Sequence, residues 1–131
     1  MQFVAIWDTG ATGSVITQAV VDACGLAPTG ITTVHHVHGS EQAETYLVNI
    51  ALPQNVIFPG VRVTKGVLAG NADILIGMNI INKGDFAVTN LNGLTKFSFR
   101  LPSKVHIDFV EEDARLQGNR AERRRGARRK R

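Results

Sequence analysis

A chain of 131 residues with 44% hydrophobic and 20% charged side chains is ordinary for one soluble globular domain and leaves little room for a second. One cysteine excludes an internal disulfide and a multi-thiolate zinc site, which suits a reducing compartment. The net charge of +4 hides two regions, because residues 1–114 carry 6 basic and 10 acidic side chains and residues 115–131 carry 9 and 1.

In chain order, Phe3 to Trp7 reads as a buried strand running into Asp8, and "DTGATG" supplies the turn chemistry that ends it. Thr17 reads as an N-cap, "QAVVDAC" as two helical turns with Val20, Val21 and Cys24 facing inward, and Gly25 as the C-cap. The β-branched runs "ITTVHHV" and "AETYLVNIAL" flank a polar "HGSEQ" tip, the pattern of a hairpin. "VIF" and "VRVTKGVL" read as two strands divided by Pro59-Gly60, and "AGNA" leads into the apolar run "ILIG". "MNIINKG" is a second short helix closed by Gly84. "DFAVTN", the "LNG" turn, "TKFSFRL" and "KVHIDF" complete a set of short alternating strands, with Phe97, Phe99 and Leu101 on one face.

There is no repeat of fixed period, and 13 glycines point to many turns, so the expected fold is all-β with one or two short helices over residues 1–109. Residues 110–131 end in "RAERRRGARRKR", which has almost nothing to bury and repels itself, so a basic, disordered tail is expected. The start, "MQFVAIW", lacks the pattern of a secretory leader, and no run approaches the roughly 20 apolar residues of a spanning helix. The chain therefore reads as soluble and cytoplasmic, with no membrane partner.

On its own residues, Asp8 is either the acid of a turn or half of a catalytic site. His36 and His38 share a strand face, but two imidazoles are an incomplete ligand set, and a solvated hairpin tip is the simpler reading. Cys24 has no histidine or lysine beside it in sequence to activate it and is given no chemistry.

Two segments together, "IWDTGATGSVIT" at residues 6–17 and "DILIGMNII" at residues 73–81, resemble the retroviral-type, or retropepsin-like, aspartic proteases and especially their bacterial single-domain relatives. The resemblance covers roughly residues 2–101, and its specificity lies in the ordered pair of motifs, since Asp-Thr-Gly alone is weak. It implies an acid-protease barrel with its active site at a homodimer interface, acting on a peptide or protein substrate without cofactor or metal. Asp8, Thr9 and Gly10 would be the catalytic loop, with one Asp8 from each copy because the chain has a single Asp-Thr-Gly. Ala11, Leu75 and Ile76 would line the cleft. Val34 to Ala43 would be the flap, with Val37, His38 and Gly39 against substrate.

The sequence also departs from the family. The flap tip holds only Gly39, and Thr12 and Met78 stand where retroviral members carry a paired acid and arginine. Met1 lies seven residues before Asp8, where the family has a preceding strand at the dimer interface. Either later strands such as Phe97 to Leu101 or Val105 to Phe109 replace that strand, or the chain is an N-terminally shortened form. A catalytically inactive, retropepsin-like peptide- or protein-binding module tethered by the arginine-rich tail is the alternative to an active protease. For the tail itself, weak sequence-independent nucleic-acid contact through residues 115–131 is expected ahead of an anionic surface or simple repulsion.

Overall fold

A computed structural model describes residues 1–129. Short apolar runs and closely spaced turns make the body a set of strands: β1 (Ala5–Trp7), β2 (Ser14–Ile16), β3 (Gly30–His36), β4 (Gly39–Leu52), β5 (Val56–Lys65), β6 (Ile74–Ile76), β7 (Asp85–Leu91) and β8 (Leu94–Arg100). The first six form one curled sheet in the order β1-β6-β2-β5-β4-β3, and β7 and β8 form a separate hairpin. β6 sits between β1 and β2, parallel to the first and antiparallel to the second. The loop joining β1 to β2 is therefore held open around an inserted strand, which is what presents residues 8–13 at one end of the sheet.

The core lies on the inner face of the sheet. Ile16, Ile76 and Val63 come from neighbouring strands, Tyr46, Ile50 and Phe58 from the long β4–β5 pair, and Val20, Val21, Ile80 and Ile81 from two helices. Helix α1 (Gln18–Cys24) ends as its sequence predicts: Gly25 adopts φ 60°, and the Leu26 amide reaches back to the Val21 carbonyl at 3.0 Å. Its start differs, because Thr17 makes no side-chain cap and its buried hydroxyl has no partner among the described residues. Cys24 is exposed rather than inward-facing, leaving Val20 and Val21 as the buried positions of the helix. Helix α2 is the short turn Met78–Ile81.

Three further expectations are corrected. "VIF" and "VRVTKGVL" form the single strand β5 as far as Lys65, because Gly60, at φ 62°, takes up an extra residue opposite β4 without ending the ladder. The Asn49 side chain accepts from the Gly60 amide at 2.9 Å, and the bulge lets Phe58 and Val61 both face the core. The hairpin tip is tighter than "HGSEQ": pairing runs to His36 and Gly39, leaving only Val37 and His38 as the turn. "KVHIDF" is not a strand; Val105 and Ile107 are more than half exposed, and no neighbouring strand offers the segment a ladder.

That segment is tied down near its start by Asp85 instead. The carboxylate accepts from the Ser103 hydroxyl, the Lys104 amide at 2.9 Å and the Arg100 guanidinium at 2.7 Å. These three donors, Ser103 foremost, hold the Asp85 carboxyl well below its ordinary value of 3.8. The unfolded chain therefore takes up a proton that the folded chain resists, so this contribution is complete at neutral pH and is lost as pH falls below the ordinary carboxylate range. In Asp85→Asn, urea midpoints are expected to lie below the parent's at pH 7 and to converge with it in acid. A gap that stays constant from neutral pH to acid would contradict this assignment.

Over the described residues the tail forms a helix: α3 spans Phe109–Arg129, and Lys130 and Arg131 of the expected 110–131 tail lie outside them. Alanine, arginine, glutamate, glutamine and leucine are strong helix formers whether or not anything is buried. Asp108 caps the start by accepting from the Val110 and Glu111 amides at 2.9 and 3.1 Å. Glu111 and Glu112 in the first turn and Arg128 and Arg129 in the last complement the helix dipole. No residue of α3 is buried, and no described helix is long and apolar enough to cross a membrane.

Candidate active site

Asp8 follows directly on β1, and what holds β1 holds Asp8. The Trp7 ring lies 5.5 Å from Phe86, 5.8 Å from Phe97 and 5.1 Å from Phe99, so the β7–β8 hairpin packs its aromatic face on the residue before the carboxylate. Upstream, Val4 donates to the Asp73 carboxylate at 2.8 Å, and its carbonyl accepts from the Asp73 and Ile74 amides at 2.8 and 3.1 Å. The Asp8 amide then donates to the Ile76 carbonyl at 2.9 Å. The first four residues of the second motif thus grip the strand that carries the first.

The loop after Asp8 is clasped as closely. The Gly10 amide donates to Asp8 Oδ1 at 2.8 Å, fixing the carboxylate plane, while Oδ2 has no hydrogen-bond partner among the described residues. A Cβ on Gly10 would lie 3.2 Å from that same Oδ1, so glycine keeps this approach unobstructed. The carbonyls of Ala11 and Thr12 accept from the first amides of α2, Met78 at 2.8 Å and Asn79 at 3.1 Å. Those amides would otherwise be orphaned at a helix start, so the loop caps the helix while the helix anchors the loop. Ser14, 1% exposed, donates from Oγ to Asn79 Oδ1 at 2.8 Å and accepts from the Gly77 amide at 3.1 Å. Gly77 allows this clasp: a Cβ there would fall 2.2 Å from the Gly13 carbonyl oxygen and 2.9 Å from that of Ala11.

The residues singled out in the sequence are distributed as follows. Asp8 and Ala11 are half-buried in the loop, and Thr9 and Gly10 are exposed on it. Leu75 is half-buried, but Ile76 is 1% exposed and belongs to the core, because successive residues of a strand face opposite ways. Ile76 therefore packs in the core beneath the loop. Val37, His38 and Gly39 form the free end of the β3–β4 hairpin, with Val37 96% exposed. Four strands separate β1 from β3 in the sheet, and no hydrogen bond joins the hairpin tip to residues 8–11 among the described residues. Among the described residues no group of three or more His, Cys, Asp or Glu side chains could hold a metal.

Ser14, Asn79 and Trp7 hold the Asp8 loop in place, and the sequence did not single them out. A buried hydroxyl between otherwise apolar strand neighbours was the available signal for Ser14; nothing in sequence joins Trp7 to a hairpin eighty residues away.

Two open grooves mark the surface. One, of about 930 Å³, lies between Glu41–Glu44 and the 65–73 segment and also touches Thr17 and Gln18. The other, of about 610 Å³, is bounded by Gly13, Phe58, Arg62, Asn79 and Lys83 among others. Neither includes residues 8–11.

A family model described as gag-polyprotein putative aspartyl protease matches residues 1–83. No curated protein matches the chain. Among solved structures, a retropepsin-like aspartic protease from Rickettsia conorii is similar, at 19% sequence identity and a TM-score of 0.49 over 63% of this chain. The chain covers 64% of that structure's own length.

Proposed function

The chain belongs to the gag-polyprotein putative aspartyl protease family, and from that premise we propose that it is an aspartic endopeptidase, with Asp8 from each of two copies forming the catalytic pair. The observation that carries the reading is the clasp around Asp8. One carboxylate oxygen is held by the Gly10 amide, the other has no partner among the described residues, and the strand on either side is pinned to the second motif. A turn acid needs no such support from a distant strand and helix.

Hydrolysis by direct water attack requires a base to take a proton from water and an acid to give one to the scissile carbonyl oxygen. Two carboxyls held about 3 Å apart cannot both ionise, so they share a proton and supply both functions at once. Water loses its proton to the ionised carboxylate as its oxygen bonds to the carbonyl carbon, and the protonated partner hydrogen-bonds the developing oxyanion. The resulting tetrahedral species collapses with proton transfer to the departing amine. Within this scheme Thr9 and Gly10 shape the approach of the opposing loop, and Ala11 and Leu75 contact the peptide. Val37, His38 and Gly39 close over the peptide from the β3–β4 hairpin and exclude water. A pair of carboxyls then comes from two copies, since Asp-Thr-Gly occurs once in the sequence.

The test is a broad peptide library, incubated with the protein at several pH values and read by mass spectrometry, with Asp8→Asn in parallel. Cuts made by the parent and absent with the variant are expected. Peptides retained tightly but uncut by a dimeric protein would replace the protease with a binding module.

A further inference from the structure

We propose that α3 is a nucleic-acid-binding arm, which seats in a duplex groove and contacts the phosphodiester backbone on several sides. The inference does not depend on the chemistry assigned to Asp8.

The first observation is that α3 belongs to nothing else in the chain. None of its residues is buried, and among the described residues no hydrogen bond or ion pair joins it to the strands. The second is how its charge is arranged. Residues 115–131 carry 9 basic side chains against the single acid Glu122, while residues 1–114 carry an excess of acid. Arg123, Arg124 and Arg125 follow one another and so project roughly 100° apart around a helix of 3.6 residues per turn, and Arg115 and Arg129 fall in the remaining sector. From Arg115 onward, past the acidic Glu111, Glu112 and Asp113 at its start, positive charge therefore surrounds the helix.

That distribution decides among anionic partners. A helix that lies on a membrane or in a protein groove needs an apolar face. Here the large apolar residues Phe109, Val110 and Leu116 sit in the first turns, and beyond Leu116 the only apolar side chains are alanines. A partner that presents phosphates on both walls of a groove uses every side of such a helix. The major groove of duplex DNA, about 12 Å wide, admits a helix about 10–12 Å across. Phosphate also relieves a cost built into the arm. Arg120 and Arg124, Arg124 and Arg128, and Arg125 and Arg129 are like charges four residues apart, and Gly118 and Gly126 lie in the helix interior. Neutralising the arginines removes the repulsion, so binding strengthens the helix.

The experiment titrates the full chain against a labelled DNA duplex, an RNA duplex of the same sequence and vesicles of anionic lipid, following anisotropy and far-ultraviolet circular dichroism. A duplex is expected to bind, with a gain in helical signal and an affinity that falls about a thousandfold between about 50 and 200 mM salt. Reversing three charges at once, Arg123→Glu, Arg124→Glu and Arg125→Glu, is expected to weaken binding by about a hundredfold or more and to lower the salt slope by about three. The corresponding three lysine substitutions keep the charge and should bind as the parent does, and Asp8→Asn should leave binding unchanged. DNA and RNA outcomes identify which duplex supplies the phosphates. Binding to vesicles alone, affinity flat with salt, or a charge-reversed variant that binds like the parent would overturn the proposal.

Discussion

Replacing Asp8 with asparagine is expected to lower kcat/KM by about 10²–10⁴-fold or more, the range that positioned acid–base groups contribute, while the protein remains folded. The substitution is nearly isosteric, and the amide oxygen can still accept from the Gly10 amide that meets Oδ1 at 2.8 Å. The aromatic packing of Trp7 and the bond from the residue 8 amide to Ile76 involve no carboxylate, so the loop keeps its supports. On the proposed mechanism the acid–base function disappears, because an amide neither takes a proton from water nor gives one to a carbonyl near neutral pH. Steady-state kinetics, with circular dichroism and solution mass as controls, make the comparison. A purified Asp8→Asn protein that still cleaves would remove Asp8 from the mechanism.

The second large effect is expected at Gly77, through the backbone alone. In Gly77→Ala the new Cβ would meet the Gly13 carbonyl oxygen at 2.2 Å, the Gly13 carbonyl carbon at 2.7 Å and the Ala11 carbonyl oxygen at 2.9 Å. These are main-chain atoms that cannot rotate away, so either the 8–13 loop or the β6–α2 junction must move by about 1 Å. Overpacking of this kind costs about 1–3 kcal/mol of stability. On the proposed mechanism a misplacement of about 1 Å also costs about a hundredfold in rate, since the Asp8 loop is one of the two parts that can yield. Urea denaturation and kcat/KM on the same preparation check both. Gly126→Ala is the control, because its Cβ has no neighbour within 4 Å and should leave both readings close to the parent's. A Gly77→Ala protein with parental stability and activity would show that the clasp is looser than its geometry.

The elements that position Asp8 were legible in sequence where local chemistry dictates them. The apolar approach to "DTG", the glycine closing α1 and the "ILIG" run before a short helix each encode a strand end, a left-handed cap or a buried strand, and the all-β, retropepsin-like fold follows from their order. Partners are another matter. Alternation placed Phe97 and Phe99 on one face but could not say that Trp7 lies under it, because periodicity names a face and not what covers it. The same limit governs Leu75 and Ile76: one motif names both, whereas the strand buries Ile76 fully and leaves Leu75 half-buried. Pro59-Gly60 reads as a break in sequence and is a bulge in the sheet, since the ladder on either side is long enough to carry an extra residue. "KVHIDF" alternates like a strand but has no strand to pair with, and its anchorage comes from an aspartate nineteen residues before Lys104. In the tail no residue of α3 is buried, and helix propensity does not require burial.

The central claim is that each active centre needs an Asp8 from two copies of the chain, and mixing tests it most directly. Parent protein at fixed amount is refolded together with increasing Asp8→Asn protein, and cleavage is followed at each ratio. Random pairing in a symmetric dimer leaves about half the parent's activity at an equal mixture and about a tenth at a ninefold excess of variant. Activity that stays constant as the variant is added would mean that each chain cleaves alone, and the shared pair would have to be abandoned.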